Sequence, residues 1–176
     1  MAAEIKLYRS GTLPEALVWQ SLSFMRCEWP WLFAGEGRLR DQPFPAVMHL
    51  ACTDGQVLLS YAEIVGATAT RGCEQIPVAG LSNVFTFAPY RRAGFASKIV
   101  RAANSFLDAR HPEMAILFCE AELVPFYAAL GWAAAPCGTI TSAGDAPHAM
   151  VRRPAANGAD LVTALRRARL TVPALW

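Results

Sequence analysis

The sequence is poor in the features that mark several specialised classes of protein. Charged residues make up 17% of its 176 residues and the formal net charge is +2, which is too small to indicate a nucleic-acid-binding protein. Every apolar run is short and is broken by Gly, Pro or a charged residue, so no membrane-spanning segment is expected. We therefore expect neither a nucleic-acid partner nor a membrane.

Cysteines are also few and scattered. The five cysteines are odd in number and include no Cys-x-x-Cys pair, so a disulfide framework or a zinc cluster is not expected. Residues 1–10 contain no apolar stretch of the kind that a secretory signal requires. These absences favour a cytoplasmic location and predict no bound metal.

Apolar residues, in contrast, are abundant. Hydrophobic residues form 54% of the chain, and a chain of this length can bury a full core without disulfides or metals. The length is also that of one domain. We therefore expect residues 1–176 to form a single domain, and a homodimer is one assembly that the sequence leaves open.

The most informative stretch runs from Leu81 to Asn104 and changes character halfway. Leu81 to Phe87 is apolar, aromatic and β-branched, which is typical of a buried strand. Beyond Pro89, and from Gly94 onward, apolar residues recur with helical spacing. The residues on this helical face are Phe95, Ile99, Ala102, Ala103 and Phe106. The stretch therefore predicts a strand, a short basic turn and the start of a helix.

A turn of this kind binds anions. The first backbone N–H groups of a helix have no partner within the helix, and the helix dipole adds about half a positive charge there. A phosphate group satisfies both. Gly94 allows a close approach to the backbone, while Arg91 and Arg92 supply charged donors. We therefore expect a phosphate group to bind at this turn.

The residues from Arg91 to Ala96 resemble the coenzyme A signature of the GNAT superfamily of acyl-CoA-dependent N-acyltransferases. That signature is Arg or Gln, two residues, Gly, one residue, and Gly or Ala; here it reads Arg-Arg-Ala-Gly-Phe-Ala. The resemblance implies that the turn holds the coenzyme A pyrophosphate and that the preceding strand pairs with the pantetheine arm. It implies acetyl-CoA contacts from Val84, Phe85, Thr86, Arg91, Arg92, Ala93, Gly94, Phe95, Ala96 and Ser97.

A second block carries the same resemblance. Ala115 to Cys119 predicts another buried strand, and the residues from there to Trp132 resemble the family pattern of a loop, a helix with Phe-Tyr, and Leu-Gly before an aromatic residue. The resemblance covers about Val47 to Met150. It implies an α/β (α+β) GNAT fold. That fold is a mixed, mostly antiparallel sheet of six to seven strands, with helices on both faces and a central parallel strand pair that splays at one end.

The remaining patterns predict the other elements. Thr12, with Glu15 three residues later, has the spacing of a capping box, and Asp54-Gly55 is a strong hairpin signal. Thr68 to Pro77 is predicted as a loop. The other predicted elements are a strand at Glu4–Arg9, a helix around Ala16–Phe24, a loop at Gly35–Pro45, strands at Pro45–Cys52 and Val57–Ala67, a helix end at Arg110 with His111 as its cap, a hairpin of Trp132–Thr141 with Pro147–Arg153, and a helix at Ala159–Arg169.

The implied reaction is attack of a neutral amine on a thioester carbonyl. It needs a stabiliser for the oxyanion, an acid for the departing thiolate and a base for the amine proton. A backbone N–H near Val84 to Thr86 is the candidate oxyanion donor. Tyr127 matches the family tyrosine whose hydroxyl lies near the coenzyme sulfur and is the candidate acid. A buried tyrosine bonded elsewhere is the alternative.

The base departs from the common family pattern. Many GNAT enzymes have a Glu near the positions held here by Ser82 and Asn83, which can orient a water but cannot act as bases at neutral pH. Glu63 is a candidate base, because burial on a central strand would raise the pKa of its carboxyl toward a useful range. A Glu63 that points to solvent is the alternative. The further candidates are Glu28, His148 and His49, the last in a pattern more typical of a structural histidine.

The acceptor side rests on two patterns. The aromatic cluster from Glu28 to Phe33 is either a packing plug or a wall of the acceptor pocket. The second interpretation assigns amine contacts to Glu28, Trp29, Trp31 and Asn83. The chain end also resembles the aminoglycoside 2′-N-acetyltransferase group, which implies that the carboxylate of Trp176 binds a cationic amine. A hydrophobic tail that plugs the core is the alternative.

The function implied by the resemblance is N-acyl transfer from acetyl-CoA to a primary amine of a small molecule. Two alternatives remain open at this point. One is a GNAT-fold module that holds acetyl-CoA as a sensor or scaffold without turnover, since Ser82 and Asn83 offer no base. The other is acetylation of protein amines, which needs an open groove instead of a closed pocket.

Overall fold

A computed structural model describes residues 3–33, 46–141, 148–153, 165 and 169–172. The helices are α1 Glu15–Glu28, α2 Phe95–Arg110 and α3 Val124–Ala128, with single turns of 3-10 helix at Pro30–Phe33, Ala88–Tyr90 and Ala121–Leu123. The strands are β1 Glu4–Arg9, β2 Ala46–Asp54, β3 Val57–Arg71, β4 Glu74–Thr86, β5 Ala115–Cys119, β6 Ala133–Ala134, β7 Ile140–Thr141, β8 His148–Arg152 and β9 Leu170–Thr171.

Within these described ranges, nine strands form one sheet in the order β1-β2-β3-β4-β5-β8-β6, and β9 pairs with both β3 and β7. All neighbours are antiparallel except β4 with β5 and β7 with β9. The predicted mixed, mostly antiparallel sheet with a central parallel pair is therefore confirmed. The number of strands exceeds the predicted six to seven because three strands of two residues, β6, β7 and β9, add to it.

Helices α1 and α2 cover opposite faces of the sheet. Adjacent strand residues point to opposite faces, so Ala51 packs with α1 while its neighbours Leu50 and Cys52 pack with α2. The α1 face buries Leu17, Phe24, Met25, Leu58, Tyr61 and Phe85. The α2 face buries Leu59, Ala62, Ile64, Leu81, Ile99, Ala103 and Leu107. The prediction of helices on both faces is confirmed.

The predicted loop at Thr68–Pro77 is wrong. Strand β3 continues to Arg71 and β4 begins at Glu74, so most of this segment is a long antiparallel hairpin. Its turn lies at Gly72, whose φ of 62° falls in the left-handed region that glycine adopts readily. Alternate burial of Ile76 and Val78 supplies the packing that holds the hairpin.

The predicted capping box at the start of α1 is also wrong. The N-cap position belongs to Pro14, and no side chain caps the helix there. The hydroxyl of Thr12 instead donates to the carbonyl of Arg9 at 2.9 Å, and Glu15 accepts a hydrogen bond from Trp19 Nε1 at 3.1 Å. Both side chains that would form the capping box are thus bonded to other partners.

The ends of α2 agree with the sequence. Gly94 is the N-cap with φ 80°, and His111 is the C-cap with its backbone N–H bonded to the carbonyl of Leu107. The predicted hairpin of Trp132–Thr141 with Pro147–Arg153 is observed in part, since β6 pairs antiparallel with β8, whereas β7 pairs with β9. Residues 142–147 and most of the predicted Ala159–Arg169 helix lie outside the described residues. Within that predicted helix the structure describes Leu165, which is helical, and Arg169, which is not.

A buried polar link fixes the segment after α3 to α2. Asn104 donates to the carbonyl of Leu130 at 2.9 Å and accepts from Trp132 Nε1 at 3.1 Å, with Asn104 and Trp132 both buried. Asn104→Ala should lower the free energy of unfolding by about 2–4 kcal/mol, because a buried carbonyl and a buried indole N–H lose their partner. Urea unfolding measures this loss. Ser105→Ala, at an exposed neighbouring position, is the matched control and should change it by less than about 0.5 kcal/mol.

Candidate active site

Strands β4 and β5 meet at one point and then part. Their parallel pairing consists of Ala79 with Ala115 and Gly80 with Ile116. Beyond Gly80, β4 pairs with β3 alone, while β5 pairs with β8 on its other side. The sheet therefore opens between the ends of these two strands, as the family resemblance implies.

A bulge bends β4 beside this opening. The register between β3 and β4 shifts by one residue between the pairs Tyr61–Phe85 and Glu63–Ser82, so Asn83 and the residue after it together face one residue of β3. Asn83 has a φ of 50°, a left-handed conformation that asparagine tolerates better than most residues. The bulge interrupts the regular ladder of hydrogen bonds at the centre of the site.

The N-terminus of α2 points an uncapped set of amides into the same region. The first helical hydrogen bond runs from the N–H of Lys98 to the carbonyl of Gly94, at 3.0 Å, and no side chain caps the helix. The backbone N–H groups of Phe95, Ala96 and Ser97 are therefore left without a helical partner. With the helix dipole they form a positive site suited to a phosphate.

A cavity of about 500 Å³ joins the opening in the sheet to this helix end. Its walls come from α1, the bulged part of β4, the basic turn, the start of α2, and α3 with the turn before it. Its lining residues are Phe24, Glu28, Trp29, Val84, Phe85, Thr86, Tyr90, Arg91, Arg92, Gly94, Phe95, Ala96, Ser97, Leu123, Phe126 and Tyr127. Most of the residues that the sequence assigned to acetyl-CoA thus surround one space.

The two arginines of the turn differ in their contacts. Arg91 donates from Nε to the carbonyl of Thr86 at 3.0 Å, and its guanidinium lies 3.4 Å from Glu28 Oε1. Both charged side chains are about half exposed, so this pair stabilises the fold little. Arg92, with a φ of 64°, has no hydrogen bond or ion pair to the described residues. Its guanidinium is therefore available to a ligand.

Tyr127 of α3 lines the cavity. The side chain is 5% exposed, and no hydrogen bond joins its hydroxyl to another described residue. Burial raises the pKa of this hydroxyl above the ordinary tyrosine value, and the nearby Cys119 adds to the rise. A raised pKa keeps the group protonated, so Tyr127 is a neutral donor at physiological pH.

Aromatic rings form the wall on the α1 side. Phe24 stacks on Phe85 with ring centroids 4.0 Å apart, and Trp29 meets Phe24 edge to face at 5.9 Å. Trp29 also lines the cavity, so this residue both packs the helix end and borders the candidate pocket. The side chain of Trp31 and the whole of Trp176, both predicted as acceptor contacts, lie outside the described residues.

Behind this wall lies a polar cluster that sequence reasoning found only in part. Glu63 is 2% exposed and accepts hydrogen bonds from the Tyr61 hydroxyl at 2.8 Å and from Asn83 Nδ2 at 2.7 Å. His49 Nδ1 lies 2.6 Å from the Tyr61 oxygen. Glu63 therefore does not point to solvent.

Among the described residues, four that the sequence assigned to catalysis, coenzyme binding or amine binding lie outside the cavity lining. They are Glu63, Ser82, Asn83 and Ala93. Ser82 is buried and stands opposite Glu63 in the β3–β4 register, whereas Ala93 is exposed. Tyr61 was missed as a functional candidate because it occurs in an apolar strand. Its spacing of two residues from Glu63 is the signal that puts both on one face of the sheet.

Two general features of the described residues bear on other classes of site. Among them, no group of three or more His, Cys, Asp or Glu side chains is placed to hold a metal ion. No helix in the described part of the chain has both the length and the hydropathy needed to cross a membrane.

Comparison with known protein families gives one clear match. The sequence model of the acetyltransferase (GNAT) domain matches residues 4–135, which is most of the chain. No curated protein sequence matches this chain. The narrower similarity to the aminoglycoside 2′-N-acetyltransferase group is not shown by these comparisons.

Solved structures show the same fold at low sequence identity. The GNAT family N-acetyltransferase YhbS from Escherichia coli, in complex with CoA, is 18% identical over 98% of this chain and 89% of its own, with a TM-score of 0.65. An acyl-CoA N-acyltransferase from Pseudomonas aeruginosa is 14% identical over 86% of this chain and 99% of its own, with a TM-score of 0.62. Eis1 from Mycobacterium abscessus is larger: at 15% identity and a TM-score of 0.54, the match covers 76% of this chain and only 31% of that protein.

Proposed function

This chain belongs to the GNAT acetyltransferase family, and from that premise we propose that it transfers an acetyl group from acetyl-CoA to a primary amine of a small molecule. The observation that carries the proposal is the meeting of two features in one cavity. The uncapped amides of Phe95, Ala96 and Ser97 face it from one side, and the Tyr127 hydroxyl faces it from the other. The first can hold a diphosphate and the second can donate a proton.

The binding part of the proposal rests on the shape of the opening. The diphosphate of acetyl-CoA lies against the amides that begin α2, with Arg92 as a charged donor. The pantetheine arm then runs between β4 and β5, where the two strands part beyond Gly80. Positioning of the thioester next to the amine supplies a large share of such catalysis, because it removes the entropic cost of bringing two reactants together.

The chemical part uses two groups of the chain. A backbone N–H in the bulge near Val84 stabilises the oxyanion that forms on the thioester carbonyl. Tyr127 protonates the departing thiolate, and its raised pKa keeps that proton available at neutral pH. Both groups belong to the wall of one cavity, so a single bound substrate can reach both.

The acceptor part rests on the α1 side of the cavity. Glu28 supplies a carboxylate that attracts a cationic amine, and Trp29 supplies an apolar wall beside it. The cavity of about 500 Å³ has the size of a small-molecule site. A small amine is therefore favoured over a protein side chain as the acceptor. The proposed source of that amine is a cytoplasmic metabolite.

Incubation with acetyl-CoA and a panel of primary amines should release free coenzyme A only when an accepted amine is present. Thiol release and the mass of the acetylated product measure the reaction together. The panel should include small aliphatic and aromatic amines, amino sugars and a lysine-containing peptide. Preference for the peptide would contradict the small-molecule proposal, and coenzyme binding without release over the whole panel would favour the sensor or scaffold alternative.

A further inference from the structure

A chain of three polar side chains crosses the α1 face of the sheet beside the cavity. Glu63 Oε1 accepts from the Tyr61 hydroxyl at 2.8 Å, and the Tyr61 oxygen lies 2.6 Å from His49 Nδ1. The Tyr61 ring packs 5.4 Å from Phe85, which lines the cavity. The cluster therefore stands directly behind the wall of the candidate active site.

The carboxylate of Glu63 is held on both oxygens. Tyr61 donates to Oε1 and Asn83, from the bulge, donates to Oε2 at 2.7 Å. Hydrogen bonds of this kind favour the ionised form of a carboxyl group, and they leave it poorly placed to bind a substrate proton. Glu63 is also absent from the cavity lining, so it acts on the reaction through its neighbours.

The hydrogen bonds of Tyr61 set the tautomer of His49. The hydroxyl has one proton, and a carboxylate can only accept, so that proton points to Glu63. The Tyr61 oxygen must then accept from His49, which places the imidazole proton on Nδ1. In a neutral ring, Nε2 is consequently an unprotonated acceptor. No hydrogen bond occupies Nε2 among the described residues, and 15% of the side chain is exposed.

We propose that His49 accepts the proton that the amine loses, with Tyr61 and Glu63 as positioning residues; this assignment rests on the proposed acetyl transfer. An ammonium ion first loses one proton to give the neutral amine that attacks, and the nitrogen loses a second as the N–C bond forms and the C–S bond breaks. One of these protons replaces the proton that Tyr127 donates to the departing thiolate. The other passes to Nε2 of His49 and from there to solvent. His49 is two strands away from β4, roughly 10 Å at the usual strand spacing, so that proton travels through water.

The imidazolium formed in this step is stabilised by the same chain. Its Nδ1–H already donates to Tyr61, which donates to the Glu63 carboxylate, so the positive charge forms next to an anion without rearrangement. The titratable groups that face His49 from the neighbouring strands are Tyr8 of β1 and Tyr61 and Glu63 of β3.

The tautomer can be measured without any substrate. In the protein labelled with 15N at histidine, NMR should show His49 protonated on Nδ1, with its signal identified by its loss in His49→Gln. Tyr61→Phe removes the hydroxyl and should abolish this preference. A wild-type ring protonated on Nε2 would overturn the proposal, because that nitrogen could not then accept a proton. Coenzyme A binding, measured by calorimetry, tests the proposed function separately.

Kinetics supply the second test. His49→Gln should lower kcat about 100-fold, the lower part of the range for a lost acid or base, while the Kd for coenzyme A changes less than about twofold. Glu63→Gln and Tyr61→Phe should give smaller losses in kcat. His111→Asn is the matched control, because asparagine tolerates the left-handed backbone there, and it should leave kcat unchanged.

Equal kcat for His49→Gln and wild type would also overturn the assignment. Absence of turnover in wild type would contradict the proposed function itself, whereas turnover in wild type that His49→Gln leaves unchanged would overturn only the assignment of His49.

Discussion

Tyr127→Phe should lower kcat by about 100- to 1,000-fold, which is the contribution expected from a positioned general acid. The affinity for coenzyme A should change less than about twofold, because the ring that borders the cavity is retained. The fold should also be unaffected, since the lost hydroxyl has no hydrogen bond to the described residues. Steady-state kinetics, calorimetry and thermal unfolding separate these three quantities. Unchanged turnover would remove Tyr127 from the mechanism.

The same tyrosine predicts how activity depends on alkaline pH. Tyr127 acts in its protonated form, and burial raises its pKa, so the acid form persists at pH values where an exposed tyrosine ionises. The kcat of the wild type should therefore not fall between pH 8 and pH 10 through loss of this proton. A fall in that range that is absent in Tyr127→Phe would show that the hydroxyl ionises there, against this assignment.

Arg92→Glu should weaken coenzyme A binding by about 100-fold, equivalent to about 2.7 kcal/mol. The change removes a charged donor from a cavity that the first turn of α2 also lines, and it places an anion at the proposed phosphate site. Both Arg and Glu have a Cβ, so the strain of the left-handed backbone at this position is similar in the two proteins. Calorimetry at low and high ionic strength measures the effect, which salt should reduce because the site is exposed.

Arg101→Glu is the matched control for this substitution. It makes the same change of charge on an exposed residue of α2, about 10 Å further along the helix at 1.5 Å per residue. It should weaken binding by less than about threefold. Similar losses for the two variants would mean that net charge, and not the turn before α2, governs the affinity. That result would count against the location of the diphosphate site.

The central elements of the fold were predictable because their signals are local. Gly94 and His111 bracket α2, and both were identified from a glycine before a helical pattern and a residue before proline. The Ala115–Cys119 strand was predicted at its observed limits, because an apolar run of five residues has the length of a buried strand and is too short for a typical helix. Of these elements, α2 forms part of the cavity wall with its first turn, at Phe95, Ala96 and Ser97.

The errors arise where a competing contact decides the outcome. Thr68 to Pro77 contains Gly, Pro and polar residues and was predicted as a loop, yet β3 and β4 pair through it because Ile76 and Val78 bury one face. Thr12 has the spacing of a helix cap, but its hydroxyl donates to the carbonyl of Arg9, three residues earlier. In the first case, packing against distant residues overrides the local propensity for a loop. In the second case, one local hydrogen bond replaces another.

The polar cluster shows the same limit for the site. Glu63 could be predicted as a candidate because a single acid occurs in an apolar strand. Its partners come from three places: Tyr61 two residues before it, Asn83 on the next strand and, through Tyr61, His49 on the strand before. Only the register of β2, β3 and β4 brings them together, and that register includes a bulge that no short pattern predicted.

The parting of β4 and β5 creates an edge in the interior of the sheet. Exposed strand edges invite pairing with other chains and are a source of aggregation, but this edge is flanked by α2 on one side and by β5 on the other. A slender linear molecule with spaced amide groups can enter the opening between β4 and β5 and form hydrogen bonds with the backbone of β4. On binding such a molecule, the backbone amides of β4 beyond Gly80 should become slower to exchange with deuterium.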